Sequence, residues 1–177
     1  IMVYNNWFAS QWDIPVETMV RLAEEIPSIV VLKENTPSIA KFADMVRVLG
    51  ERISIINGAG EPHEPYAALM GAQGFVSGIA CVIPQTCLSI YQAEADGDYQ
   101  RAKEIVNRIV PLTDFFTKGE HDADFILRIK AIMNLLGLPG GFPRLPLLPV
   151  SQEITLKGRE IIEKLNLQEL WNIHKTV

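Results

Sequence analysis

Lys33 closes the β-branched run "SIVVLK" and is followed at once by Glu34 and Asn35. Folded chains normally bury such a run. An amine at its end is therefore either a paired structural charge or a group kept for chemistry. Apolar walls disfavour the charged form of an amine, and a neutral amine can attack a carbonyl to form a Schiff base. The iminium is an electron sink, which allows the adjacent carbon–carbon bond to be made or broken. Tyr4 ends a second apolar stretch, "IMVYN", and a phenol hydroxyl suits proton relay beside such an amine. In a third stretch, "IINGAGEP", Asn57 and Gly58 follow an apolar run, and glycine there lets backbone N–H groups approach a substrate closely. A fourth, "GFVSGI", presents Ser77 and Gly78. Each has a plain structural reading too: an ion-paired lysine, a packed tyrosine, glycines that only make a turn. Glu61 and His63, just after Gly58, are expected to be solvent-exposed. Trp7, Phe8 and Trp12 place three aromatics within six residues, which is unusual for a solvated loop.

These groups share a position in the pattern: each closes a predicted strand. The strands begin near residues 1, 29, 53 and 74, and helical segments separate them. Asp13 and Pro15 open the helix carrying "VETMVRLAEE". Thr36 as N-cap, Pro37 at the first helical position and Gly50 as the stop frame the next helix, whose apolar positions include Ile39, Phe42, Met45, Val46 and Leu49. "PHEPYAALMGA" reads as a short third helix. Strands that are apolar throughout are read as covered on both faces by crossover helices. The fold class is thus α/β, and in an α/β barrel active groups gather at the carboxyl ends of the strands. An eight-stranded barrel takes about 250 residues. Four strands in 177 residues read as half of one. We expect residues 1–83 to form the C-terminal half of a (β/α)8 barrel, its last four strands. Residues 84–177 are expected to hold its last helix and a helical extension, with a kink at Pro111 and a fixed connector, "LPGGFPRLPLLPV".

Net charge is −5 with no block of Lys or Arg, which argues against nucleic-acid binding. No apolar run approaches the roughly 20 residues that span a bilayer, so no membrane partner is expected. Cys81 and Cys87 lack CxxC spacing, and His63, His121 and His174 are far apart. We expect no metal and no cofactor, and a cytoplasmic location. The chain opens on an apolar strand at Ile1 rather than on Met. We therefore expect an N-terminal half-barrel segment or chain as a partner, because four barrel strands leave two unpaired edges and an exposed apolar face.

In order, "VYNN", "VVLKEN", "INGAGE" and "GAQGFVSGIACVIP" resemble the dihydrodipicolinate synthase and N-acetylneuraminate lyase family of class I aldolases, and the helical tail from "DGDYQRAKEI" to "RLPLLPVS" resembles it as well. The resemblance implies that Lys33 is the Schiff-base lysine and that Tyr4 is the proton-relaying tyrosine. It implies that Val76 lines the pyruvate site through its backbone, with the Gly58 turn beside it; Asn57 and Ser77 are grouped with these as substrate-binding candidates. It also implies a barrel assembled as a dimer of dimers, a homotetramer, that joins pyruvate or another 2-oxo acid to an aldehyde, or cleaves the product. The family's carboxylate-holding segment would lie in the other half of the barrel. Two departures bear on the substrate. In the synthase branch an arginine follows the tyrosine by five positions, and here that position is Ala9. The loop "NNWFASQWD" is partly similar, at Tyr4, Asn6, Ala9, Asp13 and Pro15, to hydratase-aldolases acting on aromatic pyruvate adducts. That activity, or non-catalytic binding of a 2-oxo acid, is the alternative expectation.

Overall fold

The computed structural model describes residues 1–121 and 123–167. The expectation of helix continuing to the end, and His174, lie outside the described residues. By its contacts the chain divides into two compact units. The first comprises Ile1–Ser77 with Ile90–Lys103, and the second Gly78–Ser89 with Glu104–Val177. The second half of α5 (Pro84–Ala95) and the first residues of α6 (Tyr99–Thr117) therefore group with the strands.

The first unit is built on a parallel sheet of β1 (Met2–Asn5), β2 (Val31–Glu34) and β3 (Ser54–Asn57), in that order. Its register places Tyr4 beside Lys33 and Lys33 beside Ile56, and one step on places Asn5, Glu34 and Asn57 side by side. Successive strand residues point to opposite faces. Leu32 and Ile55 point to the face covered by α2 (Val16–Glu25) and α3 (Ile39–Leu49). There Met19, Ala23, Phe42, Met45 and Leu49 complete the core. The other face carries Met2, Tyr4, Val31, Lys33, Ser54 and Ile56. These strands are therefore not fully buried on both sides: Met2 and Tyr4 are exposed, and Lys33 and Ile56 are half-buried. Both crossover helices pack on the same side, as right-handed connections in a parallel sheet require.

Two expected elements take a different form. The "GFVSGI" strand is reduced to a single parallel bridge between Asn57 and Phe75. The backbone still follows β3: Gln73 N–H donates to Ile55 O, Asn57 N–H to Gly74 O and Val76 N–H to Asn57 O, at 2.9, 2.9 and 3.0 Å. Gly74, at φ 151°, precedes this pairing, and a 3₁₀ turn at Ile79–Cys81 follows it, leaving too few extended residues for a strand. The helix after β2 starts at Ile39, with Ser38 rather than Thr36 as N-cap, its hydroxyl accepting the Lys41 N–H at 3.2 Å. Thr36 is occupied elsewhere, its N–H bonded to the Glu34 carboxylate at 2.8 Å. The loop after β1 holds a short helix, α1 (Trp7–Ser10), and the one after β3 leads into α4 (Glu64–Leu69).

In the second unit α7 (Asp124–Leu135) packs against α8 (Gln152–Leu165). A Cβ at Gly158 would lie 3.1 Å from Ile132 and 3.3 Å from Leu135, so glycine sets how closely these helices approach. α6 runs through Pro111 as one helix. The start of the connector is fixed by Lys130 Nζ on Gly140 O at 2.6 Å and by Asn134 bonded to Gly141 in both directions. Phe142 and Leu145 beyond it are exposed.

Candidate active site at the strand ends

Because Tyr4 and Lys33 occupy the same register position on neighbouring parallel strands, their side chains leave the sheet on the same face. Lys33 Nζ lies over the Tyr4 ring, 3.9 Å from its centroid. Gly58 closes the other side. A Cβ there would fall 3.0 Å from both Cγ and Cε of Lys33 and 3.1 Å from Glu34 O. Only a residue without a side chain lets the β3–α4 loop lie against the lysine stem, and the Gly58 N–H donates to Glu34 O at 2.7 Å. Lys33 is thus held between an aromatic face and a backbone, with its amine at the carboxyl end of the sheet.

The remaining candidates are placed differently. Val76 is 41% exposed, with its N–H engaged on Asn57 O, and Ser77 beside it is half-buried. Asn57 sits on the opposite face of the sheet from Lys33, and its amide is occupied by scaffold contacts. Nδ2 donates to Glu64 Oε2 at 2.7 Å and to Gly60 O at 3.0 Å, while Oδ1 accepts the Ala59 N–H at 2.8 Å. Its side chain shapes the turn that presents Gly58. Glu61 corrects the expectation of an exposed loop residue: it is 4% exposed, whereas its neighbour His63 is exposed. The loop folds back so that its acidic residues enter the unit.

Under the Lys33–Tyr4 pair lies a buried polar clamp that sequence reasoning did not single out. Asn5 Nδ2 donates to both Glu34 oxygens at 2.9 Å and to Asp13 Oδ1 at 2.8 Å. Asn5 Oδ1 accepts the Ile14 N–H at 3.0 Å, and Lys41 forms an ion pair with Asp13. Asn5 and Glu34 are fully buried. Burial pushes the Glu34 carboxyl above the usual range against the opposing hydrogen bonds from Asn5 and Thr36. For Asp13, burial also acts upward but is outweighed by the hydrogen bonds from Lys41 and Asn5, so its carboxyl is held low. Strand alternation was the available signal: if Lys33 leaves by one face, Glu34 must enter the other and needs partners there.

At the rim, α1 displays Trp7 and Phe8 edge to face with centroids 6.1 Å apart, and Trp7 Nε1 donates to Asn35 O at 2.9 Å. Both rings and Trp12 are exposed, as is Ala9 between them. Among the described residues, no group of three or more His, Cys, Asp and Glu is arranged to hold a metal ion. No described helix is long and apolar enough to cross a membrane.

Fold and candidate site together define a parallel α/β protein with its candidate groups at the carboxyl ends of the strands. The chain belongs to the Dihydrodipicolinate synthetase family, whose model matches residues 1–165. It is 34% identical over 167 residues to the 4-hydroxy-tetrahydrodipicolinate synthase of Aquifex aeolicus, covering 94% of this chain and 55% of that protein. It is 30% identical to the corresponding synthase of Archaeoglobus fulgidus, covering 94% of this chain and 56% of that one. The crystal structure of dihydrodipicolinate synthase from Aquifex aeolicus superposes with a TM-score of 0.84 at 31% identity, over 95% of this chain and 56% of that one. The chain thus spans about 55% of the length of the curated relatives it matches.

Proposed function

We propose that the chain supplies the Schiff-base half of a class I lyase or synthase. In this reading the enzyme makes or cleaves a carbon–carbon bond between pyruvate, or another 2-oxo acid, and an aldehyde. The observation that carries the reading is the Lys33 amine lying over Tyr4 and held against Gly58 at the carboxyl end of a parallel sheet. The Lys33 amine adds to the 2-oxo carbon and the carbinolamine expels water, leaving an iminium. Loss of a proton from the neighbouring methyl gives an enamine, whose carbon attacks the aldehyde. Tyr4 carries the protons that leave and return in these steps. Water then releases the product and restores the amine. Val76, Ser77 and the Gly58 turn border the 2-oxo acid, and Asn57 fixes that turn.

In this reading β1, β2, β3 and the segment bridged to Asn57 at Phe75 occupy the last four strand positions of a (β/α)8 barrel. The exposed Ile1, Met2, Tyr4 and Val30 mark the face and edge that the remaining half would cover. A homotetramer and a cytoplasmic location are carried over from the family resemblance. The aldehyde follows from the rim. Ala9 provides no guanidinium fork for a second carboxylate, and Trp7, Phe8 and Trp12 offer aromatic surface instead. This favours an apolar or aromatic aldehyde, as in the hydratase-aldolases of aromatic pyruvate adducts, over the lysine-pathway substrate. Incubating the intact protein with pyruvate and a panel of aldehydes tests the choice. Adducts with aromatic aldehydes, lost in Lys33→Ala, support it; turnover confined to aldehydes bearing a carboxylate contradicts it.

A further inference from the structure

One buried ionisable pair is left unused by this chemistry. Glu64 opens α4 and is 1% exposed; Glu94 lies in the last turn of α5 and is 8% exposed. Glu64 Oε2 accepts the Asn57 amide, but Glu64 Oε1 and both oxygens of Glu94 find no partner elsewhere. Each carboxyl acts on the other, and the other charge acting on Glu64 is that of buried Glu61. His63, at the N-cap of α4, points to solvent. The charges acting on Glu64, those of Glu94 and Glu61, are both acidic. Two such carboxylates cannot both be charged in a low-dielectric site without strong repulsion. One shared proton converts the repulsion into a charge-assisted hydrogen bond.

We propose that Glu64 and Glu94 form a proton-operated latch: sharing a proton, they tie α4 to α5 and hold the β3–α4 loop closed, and loss of that proton to solvent releases the loop. Burial, reinforced by the neighbouring carboxylates, pushes Glu64 up to about 8, and burial pushes Glu94 up to about 7, so the transition falls near neutral pH. Asn57 connects the latch to the strand ends. Its amide grips Glu64 and Gly60 O, and the next residue is the glycine that lies against Lys33. The latch does not depend on the chemistry assigned to Lys33, and it can be read without substrate.

Hydrogen–deuterium exchange on the intact protein, corrected for intrinsic base catalysis, tests it at pH values either side of about 7 and about 8. We expect wild-type amides of residues 59–67 to lose protection on the order of tenfold above the transition. In Glu64→Gln and Glu94→Gln the protection persists, because a neutral amide donates as the shared proton did. Protection that is independent of pH in the wild type, or lost equally in both variants, overturns the proposal. Carbon-13 titration of the wild-type glutamate carboxyls gives a second readout if a variant fails to fold. Two resonances titrating near neutrality support the latch; all of them titrating in the ordinary carboxylate range overturns it.

Discussion

In the proposed reading Lys33 and Tyr4 have separable roles, and their variants should separate them. Tyr4→Phe keeps the ring beneath the amine and removes only the hydroxyl. We predict that it still forms the pyruvate adduct while kcat falls by about 10²–10⁴-fold, the usual size of a general acid–base contribution. Steady-state kinetics beside adduct formation would show the split. Gly58→Ala forces a methyl to within 3.0 Å of the lysine stem and 3.1 Å of Glu34 O. Overpacking of this kind costs about 1–3 kcal/mol, and displacing Lys33 should slow adduct formation as well; urea unfolding and adduct kinetics measure the two losses. The Lys33–Tyr4 pairing was legible in the sequence because strand ends and side-chain alternation follow from local pattern. The burial of Glu61 was not, because "GAGEPHEP" reads as a polar loop.

At the scale of elements, the Asn5–Glu34 clamp joins the ends of β1 and β2 beneath the site. Asn5→Ala leaves a buried carboxylate short of its donor. We predict a loss of about 2–4 kcal/mol in chemical denaturation. The Glu64–Glu94 pair makes a pH prediction with a definite sign. Both carboxyls titrate above the ordinary glutamate value of 4.5. Over the interval from there to about 8, the folded chain binds more protons than the unfolded chain. The pair's contribution is therefore fully present below 4.5 and is lost as pH rises towards about 8. Thermal unfolding should move down by ~4 °C or more across that interval in the wild type, and by less in Glu64→Gln. The sequence conveyed the order of β and α segments and the bounds of α2. It did not distinguish Thr36 from Ser38 as N-cap, because both suit the role and Glu34 draws Thr36 away. It also overstated the segment after Gly74, where apolar residues alone do not make a strand when a 3₁₀ turn follows.

For the whole molecule, the decisive feature is a sheet covered by helices on one side and carrying the candidate amine on the other. Family membership was legible from four short motifs in order, although each is weak alone. A further half-barrel is an expectation from the sequence, because strands apolar on both faces look alike whether helices or a barrel interior cover them. If residues 1–177 supply half of the pyruvate site, this chain alone should show no turnover, whereas the complete protein should be active. An active isolated chain would refute the division of labour proposed here.

The most direct test is reductive trapping. The complete protein is incubated with pyruvate and borohydride and then digested for peptide mass mapping. We predict a single reduced pyruvate adduct on Lys33, absent without pyruvate and absent in Lys33→Ala. An adduct on another lysine, or none under conditions of full turnover, would contradict the assignment of Lys33 as the Schiff-base residue.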